Sequence, residues 1–322
     1  RMHATACSHK WLSCIRCSEA HRERKQDRAI VVSALIHAAP YILLFKGKVF
    51  VLKAGGEIFA DPAQTSALME QVGILHQVGL RVVLIHGGGP QSTELATALG
   101  LDTTFVDGRR VTDGASLDVA TMVLNGQINT RVLAACRDLQ IPAVGISGVD
   151  AGLIRAHRRP PVERDGDASV DYGFVGDIDS VEADILVKQL DNGLMPVVSP
   201  LSCDEAGTLL NINADTVAAA IAAELDAEKM ILLTGAPGVL EDVNDPQSLI
   251  SYIDRAELDK LRDYGKLADG MLPKAAAIDA ALANGVNRVH VISFKVPDSL
   301  LLEVFTNEGT GTLVVNDIAG LT

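Results

Sequence analysis

The sequence predicts an α/β fold, a three-layer αβα sandwich around a mainly parallel central sheet. Short apolar runs alternate along the chain with longer segments of helical periodicity. These runs are apolar throughout and do not alternate with polar positions, which is typical of parallel strands covered by helices on both faces. The chain has 28 glycines among 322 residues. They favour the tight turns and close helix-sheet packing of an α/β sandwich.

The predicted elements begin with a helix over residues 29–45 that Pro40 interrupts, because a proline inside a helix removes a hydrogen bond. The predicted strands are residues 49–53, 81–85, 142–146, 194–198, 229–234, 288–292 and 311–315. The remaining predicted helices are residues 65–77, 92–99, 116–139 (one or two helices), 215–225, 257–263, 273–284 and 299–305. The polar residues 154–180, rich in Arg and Asp, predict a β-hairpin or a loop excursion.

Charge and composition exclude several classes of partner. The net charge of −13 argues against nucleic acid, because neutralising phosphates requires clustered Lys and Arg. No apolar run reaches the eighteen or so residues of a membrane span, so we expect a cytoplasmic protein with no membrane partner. Residues 1–27 contain Cys7, Cys14 and Cys17, whose spacing matches no common zinc finger. We expect a disordered tail there and no metal site, with a transit peptide as an alternative that its acidic residues weaken.

Five short motifs follow one another along the chain. They are KAGG at residues 53–56, HGGGP at 86–90, VDGRRVT at 106–112, NINAD at 211–215 and GMLPK at 270–274. Glycine-rich turns between a strand and a helix let backbone amides approach an anion. Tight turn geometry explains each turn equally well when it is taken alone. Neither a Walker A loop nor the dinucleotide fingerprint GxGxxG follows the strands, which disfavours a dehydrogenase.

Several charged residues in these motifs suit phosphate and carboxylate. Lys53 ends a strand directly before its glycine turn, and Lys274 stands beside Gly270, although solvated surface lysines are the alternative. Arg110 could bind a carboxylate through two hydrogen bonds, or it could be an ordinary surface arginine. Asp215 begins a helix, where an N-cap aspartate stabilises by about 1 kcal/mol, so capping alone would explain it. No residue in the motifs resembles a nucleophile or a dedicated general base.

In this order and spacing, the motifs resemble those of the amino acid kinase superfamily and, within it, the N-acetyl-L-glutamate kinases. The resemblance covers residues 29–315 and includes LLTGAPGVL at residues 232–240. VDGxRVT is the element that indicates the acetylglutamate branch. The segments ALIHAAPYILLFKGK at residues 34–48 and FTNEGTGTLV at 305–314 resemble the arginine-inhibited members.

The resemblance implies transfer of the γ-phosphoryl group of ATP to the side-chain carboxylate of N-acetyl-L-glutamate in arginine biosynthesis, with Mg²⁺ arriving on the nucleotide. A carboxylate is ionised at neutral pH, so no general base is required. The implied catalytic residues are Lys53, Lys274 and Asp215, with the two ammonium groups flanking the γ-phosphoryl group. The implied substrate-binding residues are Gly56, Gly88, Gly89, Arg110, Asn211 and Asn213, and the implied nucleotide-binding residues are Thr234, Gly238 and Gly270.

The resemblance also implies feedback inhibition by arginine. Candidate arginine-binding residues are Tyr41, Glu303, Gly309 and Gly311, with Glu303 meeting the positive charge, although packing alone would explain Tyr41 and Glu303. A homodimer that assembles into a homohexamer is implied, with a PII-type regulatory protein as a further candidate partner. The implied domains are a tail (1–27), an interlacing helix (28–46), an N-lobe for acetylglutamate and dimerisation (47–225) and a C-lobe for ATP (226–322).

One departure and several alternatives remain open. Glu57 stands where many relatives have Asn, and it brings a negative charge to a phosphate site. The nearest alternative function is a kinase for another carboxylate, such as a carrier-linked aminoadipate or an acetylated analogue. Aspartate kinase is disfavoured, because we see no room in this sequence for the C-terminal regulatory domains of that enzyme. A non-catalytic arginine sensor or scaffold is an alternative of a different class, which Lys53, Lys274 and Asp215 together argue against.

Overall fold

The computed structural model describes residues 29–106, 109–164, 167–245, 247–267 and 270–317. The chain divides into two units, Arg1–Leu44 and Phe45–Thr322. The cysteine-rich tail and its expected disorder fall on residues 1–27, outside the described residues. Within the parts of the chain that the structure describes, no helix has both the length and the apolarity to cross a membrane.

Helix α1 covers residues 29–45 and continues through Pro40. Pro40 costs the helix one backbone hydrogen bond but does not end it, because neighbouring residues can keep helical dihedral angles on both sides of a proline. The part of α1 in the first unit has exposed large apolar side chains, namely Ile30, Val31, Val32, Leu35, Ile36, Leu43 and Leu44.

An eight-stranded sheet is the centre of the second unit. Its strands are β1 Val49–Ala54, β2 Arg81–His86, β5 Ala143–Ser147, β10 Met195–Ser199, β13 Lys229–Thr234, β14 Tyr252–Asp254, β15 Val289–Ser293 and β16 Thr312–Val315. The spatial order is β14-β16-β15-β13-β1-β2-β10-β5. Every neighbouring pair is parallel except β15 and β16, which are antiparallel. The predicted mainly parallel sheet is confirmed.

Helices cover both faces of this sheet, which confirms the predicted αβα sandwich. The helices of the second unit are α2 Pro62–Gln77, α3 Gly89–Ala98, α4 Gly114–Thr121, α5 Thr130–Asp138, α6 Ala183–Asp191, α7 Ala214–Glu224, α8 Arg255–Asp263, α9 Leu272–Ala283 and α10 Ser299–Phe305. Helix α7 packs on β1, β2 and β13, and helix α9 packs on α7 and β15. Helix α2 packs against α5 and α10 as well as against β2. A π-helix, Met122–Asn129, joins α4 to α5, and 3-10 turns cover Gly56–Ala60 and Asp150–Gly152.

Shorter strands lie outside the main sheet. They are β3 Phe105–Val106, β4 Arg109–Arg110, β6 Ile154–Arg158, β7 Val162–Arg164, β8 Asp167–Val170, β9 Gly176–Val181, β11 Leu201–Cys203 and β12 Leu209–Asn211. A second sheet has the order β12-β11-β6-β9, while β3-β4 and β7-β8 are separate pairs. The excursion predicted for residues 154–180 is confirmed as β6 to β9. The sequence does not predict β3, β4, β11, β12 or β14, because two or three residues are too few to show a periodicity.

Strand register places the glycine turns together. In the parallel pair β1-β2, Ala54 is level with His86, and in the pair β1-β13, Ala54 is level with Leu233. The turns that follow β1 and β2 therefore start at the same carboxyl edge of the sheet. Ligands of open α/β sheets bind at this edge, beyond the ends of the strands.

Candidate active site

An open cleft of about 400 Å³ lies at the carboxyl ends of β1 and β2. It collects most of the residues that the sequence singles out. The predicted residues that line it are Lys53, Gly56, Gly88, Gly89, Arg110, Asn211, Asn213, Asp215, Gly270 and Lys274. The other predicted nucleotide-binding residues, Thr234 and Gly238, lie outside this lining, as do the candidate arginine-binding residues.

The two glycine turns pack directly on each other. A Cβ atom on Gly56 would lie 3.0 Å from the Cα atom of Gly88 and 2.8 Å from Oε1 of Gln91. A Cβ atom on Gly88 would lie 2.7 Å from the side chain of Ile128 in the π-helix. Gln91 Nε2 donates a hydrogen bond of 2.6 Å to the carbonyl oxygen of Gly56. Glycine fits at position 56 because the backbone of Gly88 lies where a side chain would go, and at position 88 because the side chains of Leu124 and Ile128 fill that space.

Lys53, Asp215 and Lys274 form an ionic cluster inside the cleft. Lys53 Nζ lies 2.9 Å from Asp215 Oδ1, and Lys274 Nζ lies 3.5 Å from Asp215 Oδ2. The contact of Lys53 with Oδ1 is a charge contact and not an aligned hydrogen bond. Burial alone would raise the pKa of Asp215, but the two ammonium groups outweigh burial and hold this pKa below its ordinary value. Asp215 is therefore an ionised counterion for both lysines.

Asp215 is not the cap of helix α7, which removes the simplest structural explanation for it. The N-cap is Asn213, whose Oδ1 accepts hydrogen bonds from the backbone nitrogens of Asp215 (2.9 Å) and Thr216 (3.1 Å). The Asp215 carboxylate is thus free to contact the lysines. An ionised carboxylate this deeply buried is costly unless it is paired, so the two lysines account for its position.

His86 ends β2 as a neutral, structural histidine. Its Nδ1 lies 3.2 Å from the carbonyl oxygen of Gly87, and its Nε2 lies 3.2 Å from Nδ2 of Asn129. Asn129 Nδ2 also donates to the carbonyl oxygen of Val197 at 2.9 Å, so it is the donor toward His86. Burial lowers the pKa of His86 to about 4. A histidine that stays neutral at physiological pH and does not line the cleft is a structural turn residue.

Arg110 ties the β3-β4 hairpin to helix α3. Its Nη1 donates to Thr103 Oγ1 at 3.2 Å, and its Nη2 donates to Gly89 O at 3.1 Å and to Thr93 Oγ1 at 2.6 Å. Its guanidinium also lies over the ring of Phe105, 4.8 Å from the centroid. The five N–H groups of arginine leave further donors for a ligand.

Sequence reasoning missed three residues of this region. Gln91 and Asn129 support the glycine turns through hydrogen bonds to Gly56 and His86. Arg109 lines the cleft beside Arg110. A polar residue directly after HGGGP is a signal that could have identified Gln91, and the doubled arginine of VDGRRVT could have identified Arg109. Asn129 left no signal, because it contacts His86 only through the packing of the π-helix.

The remaining predicted residues lie elsewhere in the second unit. Thr234 ends β13, and its Oγ1 accepts a hydrogen bond from Ala236 N at 3.1 Å. Glu303 is buried, lies 2.6 Å from Nδ1 of His290 and accepts from Thr310 N at 2.6 Å. Burial raises the pKa of Glu303, but the contact with His290 and the other polar neighbours outweigh it, so this pKa is lowered.

Gly309 and Gly311 have structural constraints of their own. Gly309 has φ +62, and a Cβ atom there would lie 2.8 Å from Oε2 of Glu303. A Cβ atom on Gly311 would collide with the backbone of Val291. Glu303 and both glycines therefore meet in one place beside β15. Tyr41 lies in α1, in the first unit.

The charge distribution of the cleft suits a polyanion. Two lysines share one carboxylate, so the cluster keeps one net positive charge, and two arginines line the same space. Among the described residues, no group of three His, Cys, Asp or Glu side chains could hold a metal ion.

Comparisons with known proteins agree with this geometry. The family model described as "Amino acid kinase family" matches residues 48–293. Acetylglutamate kinase from Myxococcus xanthus is 46% identical over 292 residues, covering 89% of this chain and 95% of that protein. Acetylglutamate kinase from Symbiobacterium thermophilum is 45% identical over 289 residues, covering 90% of this chain and 98% of that protein.

Solved structures share the fold. N-acetylglutamate synthase from Neisseria gonorrhoeae, complexed with coenzyme A and N-acetyl-glutamate, has a TM-score of 0.78 and 30% identity. The match covers 89% of this chain but 63% of that longer chain. The extent of the family match and the identity to curated relatives decide the assignment: the chain belongs to the amino acid kinase family and, within it, to the acetylglutamate kinases.

Proposed function

We propose that this protein transfers the γ-phosphoryl group of ATP to the side-chain carboxylate of N-acetyl-L-glutamate in arginine biosynthesis. A carboxylate oxygen attacks the γ-phosphorus, the new O–P bond forms, and the bond to the bridging oxygen of the leaving ADP breaks. The products are N-acetylglutamyl 5-phosphate and ADP. The observation that carries this proposal is the pairing of Lys53 and Lys274 with Asp215 at the glycine turns. No proton is transferred, so the cleft needs no general base.

The two lysines stabilise the charge that develops on the transferring group. Lys53 is nearly buried, and Lys274 keeps 20% exposure of its side chain. Ammonium groups held in a partly desolvated site stabilise a transition state more strongly than the same groups in water. Asp215 holds them in place. Lys274 Nζ also donates to the carbonyl oxygen of Gly270 at 3.3 Å, which adds a second anchor.

The residues between the two glycine turns and the second sheet bind the acceptor. We assign backbone hydrogen bonds to Gly56, Gly88 and Gly89. The Arg110 guanidinium, which has N–H groups left after its three protein contacts, binds the α-carboxylate. The side chains of Asn211 and Asn213 bind the acetamido group. Asn213 uses its oxygen as a helix cap, so its amide nitrogen is the group that remains for a ligand.

The nucleotide lies toward the C-lobe, residues 226–322, and the acceptor toward the N-lobe, residues 47–225. Thr234, Gly238 and Gly270 are the nucleotide-binding residues. Supporting this division, Thr234 ends the strand next to β1, at the same edge of the sheet as Lys53. Mg²⁺ arrives bound to the phosphates of ATP, since these oxygens are ligands that Mg²⁺ prefers.

We propose regulation by arginine in addition to catalysis. A solved N-acetylglutamate synthase from Neisseria gonorrhoeae, 28% identical with a TM-score of 0.78, is complexed with coenzyme A and L-arginine. In this chain Glu303, Gly309 and Gly311 meet in one place and supply a buried carboxylate for a guanidinium. Tyr41, in the first unit, stays a separate candidate. The exposed apolar side chains of α1 support its use in joining homodimers into a homohexamer. A PII-type partner and a cytoplasmic location stay predictions.

Acyl-phosphate formation, trapped with hydroxylamine, tests the proposal. N-acetylglutamate would be compared with glutamate, aspartate and N-acetyl-aminoadipate, with and without arginine. Turnover confined to N-acetylglutamate supports the acceptor that we propose, and suppression by arginine supports the regulation. Turnover on another acid would keep the kinase and change its acceptor. No turnover on any of these acids would contradict the proposal and favour a sensor or scaffold.

A further inference from the structure

Arg109 and Arg110 are consecutive residues of β4, and both line the cleft. Both are half-buried, but their surroundings differ. Arg110 donates hydrogen bonds to Thr103, Gly89 and Thr93. The Arg109 side chain makes no hydrogen bond and no ion pair within 4 Å with any residue that the structure describes. A half-buried guanidinium with no acceptor among the described residues therefore lines the cleft.

Among the described residues, the carboxylate whose charge acts on Arg109 is that of Asp177, and Arg109 shares it with Arg159. The electrostatic neighbours of Arg109 are Arg159, Asp177 and Tyr172 of the second sheet and the loop beside it. The Asp177 carboxylate is already engaged by Arg159, whose Nε lies 3.1 Å from both of its oxygens. Burial, followed by the charge of Arg159, lowers the pKa of Arg109. An arginine nevertheless stays protonated at physiological pH, so the cleft holds a cation at this position.

The acceptor that we propose supplies the missing anion. N-acetyl-L-glutamate carries two carboxylates, of which one reacts at the lysine cluster and the other remains. A guanidinium matches a carboxylate through two parallel hydrogen bonds. Arg110 ties the β3-β4 hairpin to α3, and both elements belong to the N-lobe, where we place the acceptor.

We propose that Arg109 is a substrate-binding residue that holds, together with Arg110, the carboxylate of the acceptor that is not phosphorylated. The inference rests on the proposed function and adds a determinant of specificity to it. Arg110, fixed by three contacts, defines where the carboxylate lies, and Arg109 closes on it when the acceptor binds. A pair of guanidinium groups favours an acceptor with a free second carboxylate over one in which this group is an amide.

Steady-state kinetics with two acceptors test Arg109. The acceptors are N-acetylglutamate and its α-amide, which keeps the reacting carboxylate but lacks the second one. We expect Arg109→Gln to raise KM for N-acetylglutamate by about 10- to 100-fold, the usual effect of losing a charged hydrogen-bonded contact. KM for the α-amide and for ATP should change by less than about threefold. Arg109→Lys keeps the positive charge but cannot make two parallel hydrogen bonds. Its KM for N-acetylglutamate should lie between those of the unmodified protein and Arg109→Gln.

A matched control separates contact from overall charge. Arg155 is an exposed arginine on β6 that does not line the cleft. Arg155→Gln removes the same charge and should leave KM for both acceptors unchanged. Three results for Arg109→Gln would each overturn the inference. They are an equal rise in KM for both acceptors, a rise in KM for ATP, and an unchanged KM for N-acetylglutamate.

Calorimetric titration of N-acetylglutamate into the protein without ATP gives a readout that does not depend on turnover. Weaker binding to Arg109→Gln than to the unmodified protein supports the inference, and equal binding overturns it. If the unmodified protein binds N-acetylglutamate but does not phosphorylate it, the proposed function fails while the role of Arg109 stands. If the unmodified protein does not bind N-acetylglutamate at all, both fail.

Discussion

Lys53 Nζ lies 2.9 Å from Asp215 Oδ1, and the two side chains keep only 8% and 5% of their exposed surface. Lys274 Nζ reaches the other carboxylate oxygen at 3.5 Å. One carboxylate thus serves two ammonium groups, so the cluster lacks one negative charge. In the reaction that we propose, the transferring phosphoryl group supplies that charge.

Lys53→Met should lower kcat by about 100-fold or more, because removal of one preorganised charge from a transition-state site has this effect. The fold should persist, since methionine fills a similar volume. Lys48→Met is the control: Lys48 is exposed and paired with Glu228 at 3.4 Å, outside the cleft. Steady-state kinetics measure both variants. A kcat for Lys53→Met within threefold of the original would contradict the role of Lys53.

Asp215→Asn should lower the free energy of unfolding by about 3–5 kcal/mol, the usual cost of leaving a buried charge without its partner. Urea denaturation measures the loss. The double variant Asp215→Asn/Lys53→Met removes one of the two uncompensated ammonium groups and should recover part of this stability. If the double variant instead loses as much free energy of unfolding as the two single variants together, Asp215 does not stabilise the fold through its ion pair with Lys53.

His86 should make the protein acid-sensitive. Its pKa is about 4 in the folded protein and 6.5 in an exposed histidine, so the unfolded state binds the proton more readily between these values. The free energy of unfolding therefore falls as pH falls from 6.5 to 4, with a contribution from His86 of about 3 kcal/mol. In His86→Gln, urea denaturation across this range should show a weaker pH dependence. If the free energy of unfolding of His86→Gln depends on pH as strongly as that of the unmodified protein, another group causes the acid sensitivity in this pH range.

Glu57 lines the cleft without a partner among the described residues, and its carboxylate lies against Gly55. Glu57→Gln removes a negative charge beside the proposed phosphate site. We expect the dissociation constant of ADP, measured by calorimetry, to fall by about 3- to 10-fold at low salt and less at high salt. Glu70→Gln, at an exposed position of α2, is the control. An effect that is independent of salt would argue against an electrostatic cause.

Removal of residues 1–44 should abolish arginine inhibition and reduce a homohexamer to homodimers, while kinase activity remains. The truncation stops before Phe45, because Phe45 is buried and packs on Phe50 with ring centroids 5.2 Å apart. Light scattering measures the assembly, and the hydroxylamine assay measures inhibition. Glu303→Gln in the full chain should weaken inhibition without changing assembly. Full inhibition of the truncated protein would exclude a role of α1 in the arginine response.

The sequence predicts the layers of the fold because a strand buried on both faces is apolar along its middle, and β1, β2, β10 and β13 show this pattern. It does not predict β3, β4 and β12, because each of them is too short to show a periodicity: β3 and β4 pair with each other, and β12 pairs with β11.

By itself, then, the sequence determined which residues are candidates for the chemistry: Lys53, Asp215 and Lys274 stand in motifs whose order resembles that of the amino acid kinases. The tertiary structure decided how these residues are placed. It showed that Asn213 caps α7 and so frees Asp215 for the lysines, and that Arg110 is tied to α3 while the Arg109 side chain has no hydrogen-bond partner among the described residues. These assignments depend on distances between residues far apart in the chain, and such distances follow from strand register and packing and not from local pattern.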